Sequence, residues 1–506
     1  MKRCIALILG LVLLLSCVAW AEESPFLGYT SNFSKNIDGW YLRGAGEGEI
    51  FSRMGELNIN GCAASGYSAA RDFRLTPGYK YKFTATVCQN QVDSAEIMLS
   101  IAYPSENGEE HKNLESIKLK KGKWTTLKGD FMVQKSGNHT FYIENTADDP
   151  LDFFIKNVVV EPAVIIYDMT LPSLAKAYEQ YFDVGCAIGK SQVSGTKRLD
   201  FLANQFNIMT AENELKPSNV LDMNACRVLA KEDNTAVAVR FGDAKPLLDF
   251  CKEYGIKVHG HTLLWHQQTP DEFFREGYQK NGDYVSRDVM LARLDNYIRQ
   301  IMEYMEKNYP GVIVSWDVVN EAVSDNSTGL RISNWTEVVG QDFVNRAFEI
   351  ARKYAPEGTA LYYNDYSTPY EPKLTGICNL LDSLIADGNI DGYGFQCHYT
   401  PGAPGPSLIR TAMQRISEKG LRLRVSELDI RIADSSDLNL RIQANRYKDL
   451  FKIFLEYADH IDAVQVWGVT DNRSWEADEF PLLFDGRYRP KRAFYSVLEA
   501  IQPPAN

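Results

Sequence analysis

Trp316-Asp317-Val318-Val319-Asn320-Glu321 and Arg424-Val425-Ser426-Glu427-Leu428-Asp429 are two apolar, β-branched runs that each reach a glutamate. A parallel strand buried on both faces reads as such a continuous run. If each run is a barrel strand, each delivers a carboxylate to the barrel mouth. A pair of carboxylates is the minimum equipment for glycoside hydrolysis, one as proton donor and one as nucleophile or base. Either glutamate alone is equally what a strand end needs for a salt bridge. The two lie far apart in sequence, so only the fold can join them.

Working outward, a strand–loop–helix rhythm begins at Ser173. Strands are predicted at 183–189, 206–210, 256–262, 312–320, 360–364, 392–398, 421–427 and 462–468. Amphipathic stretches separate them, such as Asp342–Tyr354 with Phe343, Ala347, Phe348 and Ala351 on one face. Eight such units over 174–503 predict an α/β fold, a (β/α)8 TIM barrel, with its site at the carboxyl ends of the strands. Upstream, residues 22–163 read as an all-β unit. Period-2 runs such as Tyr79–Val87 and Thr140–Glu144 alternate with turns at Thr76-Pro77-Gly78 and Lys121-Gly122-Lys123, which predicts a β-sandwich. Residues 164–173 form the connector.

With 506 residues the chain exceeds one ordinary core, in keeping with two domains. A formal net charge of −12 argues against a nucleic-acid partner and fits a neutral or mildly basic ligand. Residues 1–21 read as a signal peptide: Lys2 and Arg3, then Ile5 to about Leu15, then Ala19-Trp20-Ala21 before Glu22. That apolar stretch is too short to span a bilayer, so a secreted protein is expected. Leu14-Leu15-Ser16-Cys17 also resembles a lipoprotein box, which leaves open a lipid on Cys17 as a membrane attachment at the outer surface or in the periplasm. Beyond Cys4 and Cys17, the cysteines at 62, 88, 186, 226, 251, 378 and 397 lack metal-site spacing and read as small buried apolar residues. No metal, nucleotide or cofactor motif is evident, and a monomer is expected.

The barrel half resembles glycoside hydrolase family 10, the retaining endo-β-1,4-xylanases, over about 174–503. The resemblance rests on ordered motifs: Thr210–Lys216, Gly260–His266 with Thr269-Pro270, Trp316–Ala322, Tyr362–Tyr366, Gly394–His398, Ser426–Ile430, and Trp467–Asp471 with Trp475 and Pro481–Asp485. It implies Glu321 as the general acid/base and Glu427 as the nucleophile, with carboxyls roughly 5–5.5 Å apart as retention requires. It further implies Asn320 at the 2-hydroxyl of the reacting sugar, His398 on the nucleophile and Gln396 beside it. His261, Trp265 and His266 would line the subsite of the reacting sugar. Glu212, Asn213 and Lys216 would grip the next xylose, and Trp467 and Trp475 would wall the cleft. Asp429 and Asp471 read as structural or supporting groups. The implied partners are xylan and xylo-oligosaccharides. Another β-1,4-glycanase, such as a cellulase or mannanase, and a non-catalytic xylan-binding protein are the alternatives. Pro217 stands where the family often has tryptophan, and Asp271-Glu272 precede Phe273 where an aromatic is common; both bear on subsite preference.

The amino-terminal unit resembles carbohydrate-binding module family 22 through Gly39–Gly44, Gly122-Lys123-Trp124, Tyr142-Ile143-Glu144 and Asp152–Ile155. The resemblance places Tyr142 and Glu144 on a binding face, since alternate residues of a strand share a side. The stacking tryptophan of that family has only Tyr67 near its place, and no aromatic stands near Lys112-Asn113. Xylan binding and a spacer or barrel-stabilising role both remain open for this unit.

Overall fold

A computed structural model describes residues 24–44, 48–60, 68–106, 108–146 and 150–501. The expected leader, Cys17, Cys62 and Tyr67 lie outside the described residues. The chain divides into two compact units at Thr170/Leu171.

The first unit is all-β. One sheet has the order β3 (Glu49–Arg53), β4 (Glu56–Asn60), β11 (Phe153–Pro162), β6 (Lys80–Gln89) and β9 (Thr125–Met132), with β1 (Tyr29–Ser31) also paired to β11. The other runs β2 (Tyr41–Arg43), β5 (Ser68–Arg74), β10 (Asn138–Asn145), β7 (Ser94–Ser105) and β8 (Gly108–Lys120). Every pairing among these strands is antiparallel. The period-2 run in β6 explains the sandwich. Tyr81, Phe83, Ala85 and Val87 alternate inward with polar residues between them. Phe83 stacks on Phe141 of the facing sheet at 4.1 Å, and burying one such ring contributes about 1.5–3 kcal/mol.

The second unit is a closed parallel barrel: β12 (Asp183–Ile188), β13 (Ile208–Ala211), β14 (Lys257–Gly260), β16 (Ile313–Asn320), β17 (Ala360–Asp365), β18 (Gly392–Phe395), β20 (Arg422–Ile430) and β21 (Ile461–Val466), with β21 returning to β12. Two short pieces extend the rim, β15 (Leu264–Trp265) on β16 and β19 (His398–Tyr399) on β20. The predicted strands each fall on one of these, with ends shifted by a few residues. Two differences bear on the site. The strand expected at 256–262 stops at Gly260, and the one expected at 392–398 stops at Phe395, each resuming as a rim piece. The strand expected to end at Glu427 continues to Ile430: after a register shift beyond Val425 it still pairs with β21 at Leu428, and β19 pairs with Asp429 and Ile430. Its glutamate therefore sits within a strand, whereas Glu321 is the first residue past one.

The strands are apolar because both faces are covered: β16 is buried along nearly its whole length. Gly260 is required by packing, since a Cβ there would meet the Trp316 ring at 2.3 Å. The predicted helix at 342–354 is Phe343–Tyr354, burying Phe343, Ala347, Phe348 and Ala351 as its spacing demands. Cys88, Cys186, Cys226, Cys251, Cys378 and Cys397 are free thiols, all buried. No helix among the described residues is long and apolar enough to cross a membrane.

Candidate active site

The carboxyl ends of the barrel strands open into a cleft of about 680 Å³ that both glutamates line. Glu321 turns the chain out of β16 with φ +58°, and its N–H donates to Asn364 O at 2.9 Å. Its carboxylate is held on three sides. Trp265 Nε1 donates to Oε2 at 2.9 Å, while Gln396 Nε2 and Asn320 Nδ2 approach Oε1 at 2.9 and 3.3 Å. Glu427 Oε1 accepts from Asn364 Nδ2 at 2.7 Å, and His398 Nε2 lies 3.1 Å from Oε2.

A continuous side-chain array joins the two carboxylates. Asn364 Nδ2 also reaches Asn320 Oδ1 at 3.0 Å, and Gln396 Nε2 reaches the same oxygen at 3.2 Å. Ser426 Oγ fixes the other end of the Asn364 amide at 2.7 Å. Sequence reading placed Asn364 inside a motif without giving it a site role. Its signal was there, as a polar residue at the end of an otherwise apolar strand.

Burial pushes the Glu427 carboxyl up, but the His398 hydrogen bond and the nearby His261, His398 and Lys216 outweigh it and hold the pKa below its ordinary value. Burial likewise lowers the His398 pKa, yet the Asp429 carboxylate at 2.8 Å and Glu427 raise it to about 10. His398 is thus a cation between two carboxylates, oriented through the ring nitrogen that faces Asp429. Asp429 also accepts from Trp475 Nε1 at 2.9 Å, so one carboxylate positions both the histidine and the wall.

Lys216 is buried in the cleft wall, its Nζ donating to Asn213 Oδ1 at 3.1 Å and lying 5.0 Å from the Trp265 ring centroid. Burial lowers its pKa, opposed by Glu427, Glu212 and Glu321. Burial raises that of Glu212, with Lys216 opposing. Trp467 is buried in a T-shaped contact with His261, ring centroids 5.4 Å apart, and His261 Nδ1 is 2.9 Å from Asp317. Of the predicted site residues, Glu212, Asn213, Lys216, His261, Trp265, Asn320, Gln396, His398, Trp467 and Trp475 all line this cleft.

His266 does not. It lines a small adjoining cavity with Arg331, Trp335 and Phe343, which Trp265, Asn320 and Glu321 also border, and burial beside Arg331 lowers its pKa to about 4. Asp471 supports the rim by pairing with buried Lys491 at 3.0 Å. Pro217 starts the helical turn Pro217–Val220, where a missing N–H costs nothing. Asp271 opens a 3-10 turn and takes Asn334 Nδ2 at 3.0 Å. Lining residues that sequence reading missed are Gln267, Tyr366, Tyr370, Thr400, Pro404 and Arg431. They sit on loops, where no periodicity marks them.

The sequence model described as glycosyl hydrolase family 10 matches residues 173–500. The chain belongs to that family. Residues 27–150 match a model described as a carbohydrate binding domain. Among similar curated proteins, endo-1,4-beta-xylanase B of Butyrivibrio fibrisolvens is 39% identical over 338 residues, covering 65% of this chain and 53% of the relative. Endo-1,4-beta-xylanase Y of Acetivibrio thermocellus is 32% identical over 546 residues, covering 99% and 50%. The chain therefore spans about half the length of these family 10 relatives. A solved structure of the CBM22-1–GH10 modules of Clostridium thermocellum xylanase 10B, complexed with xylohexaose, is 28% identical, with TM-score 0.61 over 94% of this chain and 97% of that one.

On the sandwich, Tyr142 and Glu144 do share a face of β10. The Tyr142 ring is buried beneath the Arg43 guanidinium, 4.3 Å from its centroid, and its hydroxyl is 3.3 Å from His111 Nδ1. Ser100 Oγ lies 3.1 Å from Glu144 Oε1 and 3.2 Å from Asn113 Oδ1. Burial raises the Glu144 pKa.

Proposed function

We propose that this chain is an endo-1,4-β-xylanase that cleaves internal xylan linkages with net retention, Glu427 acting as nucleophile and Glu321 as acid/base. The observation that carries the reading is the array Glu427–Asn364–Asn320–Gln396–Glu321, which ties two buried carboxylates to one rigid set of amides at the barrel mouth. The relatives named as xylanases, and the similar structure holding xylohexaose, favour xylan over cellulose or mannan.

In the first step Glu427, ionised beside the His398 cation, attacks the anomeric carbon. The bond to the leaving sugar oxygen breaks as that oxygen takes a proton from Glu321. Asn320 faces the 2-hydroxyl, where a hydrogen bond strengthens as positive charge develops on the ring. In the second step Glu321 removes a proton from water, whose oxygen displaces Glu427 and restores both carboxyls. Glu212, Asn213 and Lys216 bind the next xylose toward the non-reducing end, and Trp467 and Trp475 offer rings to pyranose faces.

Hydrolysis of xylan, carboxymethylcellulose and mannan is the direct comparison, with proton NMR following the anomer first released. Cleavage of xylan with retained configuration is expected. Activity on cellulose or mannan with none on xylan overturns the reading. The sandwich is proposed to bind xylan through the Tyr142 face. Residues 1–21 are proposed to direct export, and the mature terminus decides the route: Glu22 for soluble secretion, a lipidated Cys17 for anchoring.

A further inference from the structure

The positive φ of Glu321 is a backbone conformation that residues other than glycine rarely adopt, and an unusual set of partners surrounds it. The Glu321 carbonyl accepts from Arg331 Nε at 3.3 Å. The next two N–H groups, of Ala322 and Val323, both donate to the Tyr363 hydroxyl, at 2.9 and 3.0 Å. That hydroxyl spends its own proton on Asp365 Oδ2 at 2.5 Å. Asp365 is fully buried, and its other oxygen takes Lys373 Nζ at 2.7 Å. Lys373, itself 1% exposed, reaches on to Asp325 Oδ1 at 2.8 Å. Asp325 accepts from Tyr366 OH at 2.6 Å and pairs with Arg331 at 3.2 Å. The circuit therefore closes on the residue that holds the Glu321 carbonyl. The carboxylate of Glu321 is held by a different set, namely Trp265, Gln396 and Asn320.

We propose that Tyr363, Asp365 and Lys373 are positioning residues for the acid/base. The buried Lys373 ammonium pairs with Asp365, Asp365 orients the Tyr363 hydroxyl as a double acceptor, and that hydroxyl fixes the turn from which Glu321 projects. Two backbone N–H groups locked on one oxygen define the direction of the Cα–Cβ bond of Glu321 more tightly than its side-chain partners alone. The proposal rests on Glu321 being the acid/base. It extends that reading to side chains that line the opposite side of the strand end and need not meet the sugar.

The test separates protonation of the leaving group from everything else. kcat/KM reports the first chemical step, and a 2,4-dinitrophenyl β-xylobioside departs as a stable phenolate that needs no proton. Tyr363→Phe is expected to lower kcat/KM on xylan by about 10–100-fold, as a displaced general acid would, while kcat/KM on the aryl substrate falls less than about threefold. Lys373→Met should show the same split, and Lys373→Arg should recover most of the loss, because a cation still faces Asp365. Glu321→Ala, measured in parallel, must itself show the split. Equal loss on both substrates in Glu321→Ala overturns the acid/base reading. A split in Glu321→Ala with equal losses, or no loss, in Tyr363→Phe overturns only the positioning role. Should Lys373→Met fail to fold, Tyr363→Phe decides alone, since it keeps charge and volume and leaves the thermal midpoint as the check on folding.

Discussion

In the barrel cleft, Trp475 keeps 55% of its surface exposed while Asp429 pins its indole nitrogen, so the ring is both free on its face and fixed in place. On the sandwich, Tyr142 is only 4% exposed, and the Arg43 guanidinium occupies the ring face that a pyranose would need. The carboxylates differ in the same way. Glu321 and Glu427 are each oriented by two or more donors aimed into the cavity. Glu144 is oriented by Ser100, which Asn113 also approaches. The two regions hold similar residue types. What sets them apart is pre-organisation: the cleft has its groups ordered and its wall exposed, whereas on the sandwich face Arg43 lies over the Tyr142 ring.

The largest break in that comparison comes from the cleft. Glu427→Ala removes the proposed attacking oxygen, and kcat on xylan is expected to fall on the order of 10⁵-fold, with the thermal midpoint little changed. Retained activity would mean that another group attacks. A smaller effect sharpens the electrostatics. His398, raised to about 10, stays charged throughout the neutral range and holds the Glu427 pKa down. His398→Asn deletes that cation, so the Glu427 pKa rises and the acidic limb of the kcat/KM profile moves to higher pH. The loss of rate at the optimum should be roughly 10–100-fold. An acidic limb left where it was would show that the imidazolium does not govern the nucleophile.

How much of this was legible in sequence follows from what each feature depends on. Barrel strands such as β16 and β20 announced themselves because burial on both faces leaves only apolar residues between functional ones. Their glutamates, and the polar residues at rim positions, stood out against that background. A motif carries residue types in order but not the cavity each side chain borders, so the position of His266, in a cavity adjoining the cleft, was not legible. Pro217 and Asp271 were visible as departures, yet their consequence, a helical turn and a 3-10 turn, depended on backbone partners. Tyr370, Thr400 and Arg431 come from loops whose lengths no period constrains. The circuit around Glu321 was hidden for another reason. Tyr363 lies in a strand and Lys373 at the start of a helix, and only the closure of the fold shows that the lysine is buried.

The smallest expected effect lies on the sandwich. In the full-length Glu427→Ala protein, expected to bind without cleaving, Tyr142→Ala should weaken retention on insoluble xylan by about tenfold or less, since one ring contact is worth about 0.5–1.5 kcal/mol. Arg43→Ala is the sharper partner experiment. If Arg43 competes with the sugar for the Tyr142 face, removing it strengthens retention. If instead Arg43 bonds the sugar and uses the ring only as a shelf, its removal weakens retention at least as much as loss of the tyrosine. No change in either variant would leave the sandwich as a fold kept without its binding face, and the cleft as the whole of the xylan site.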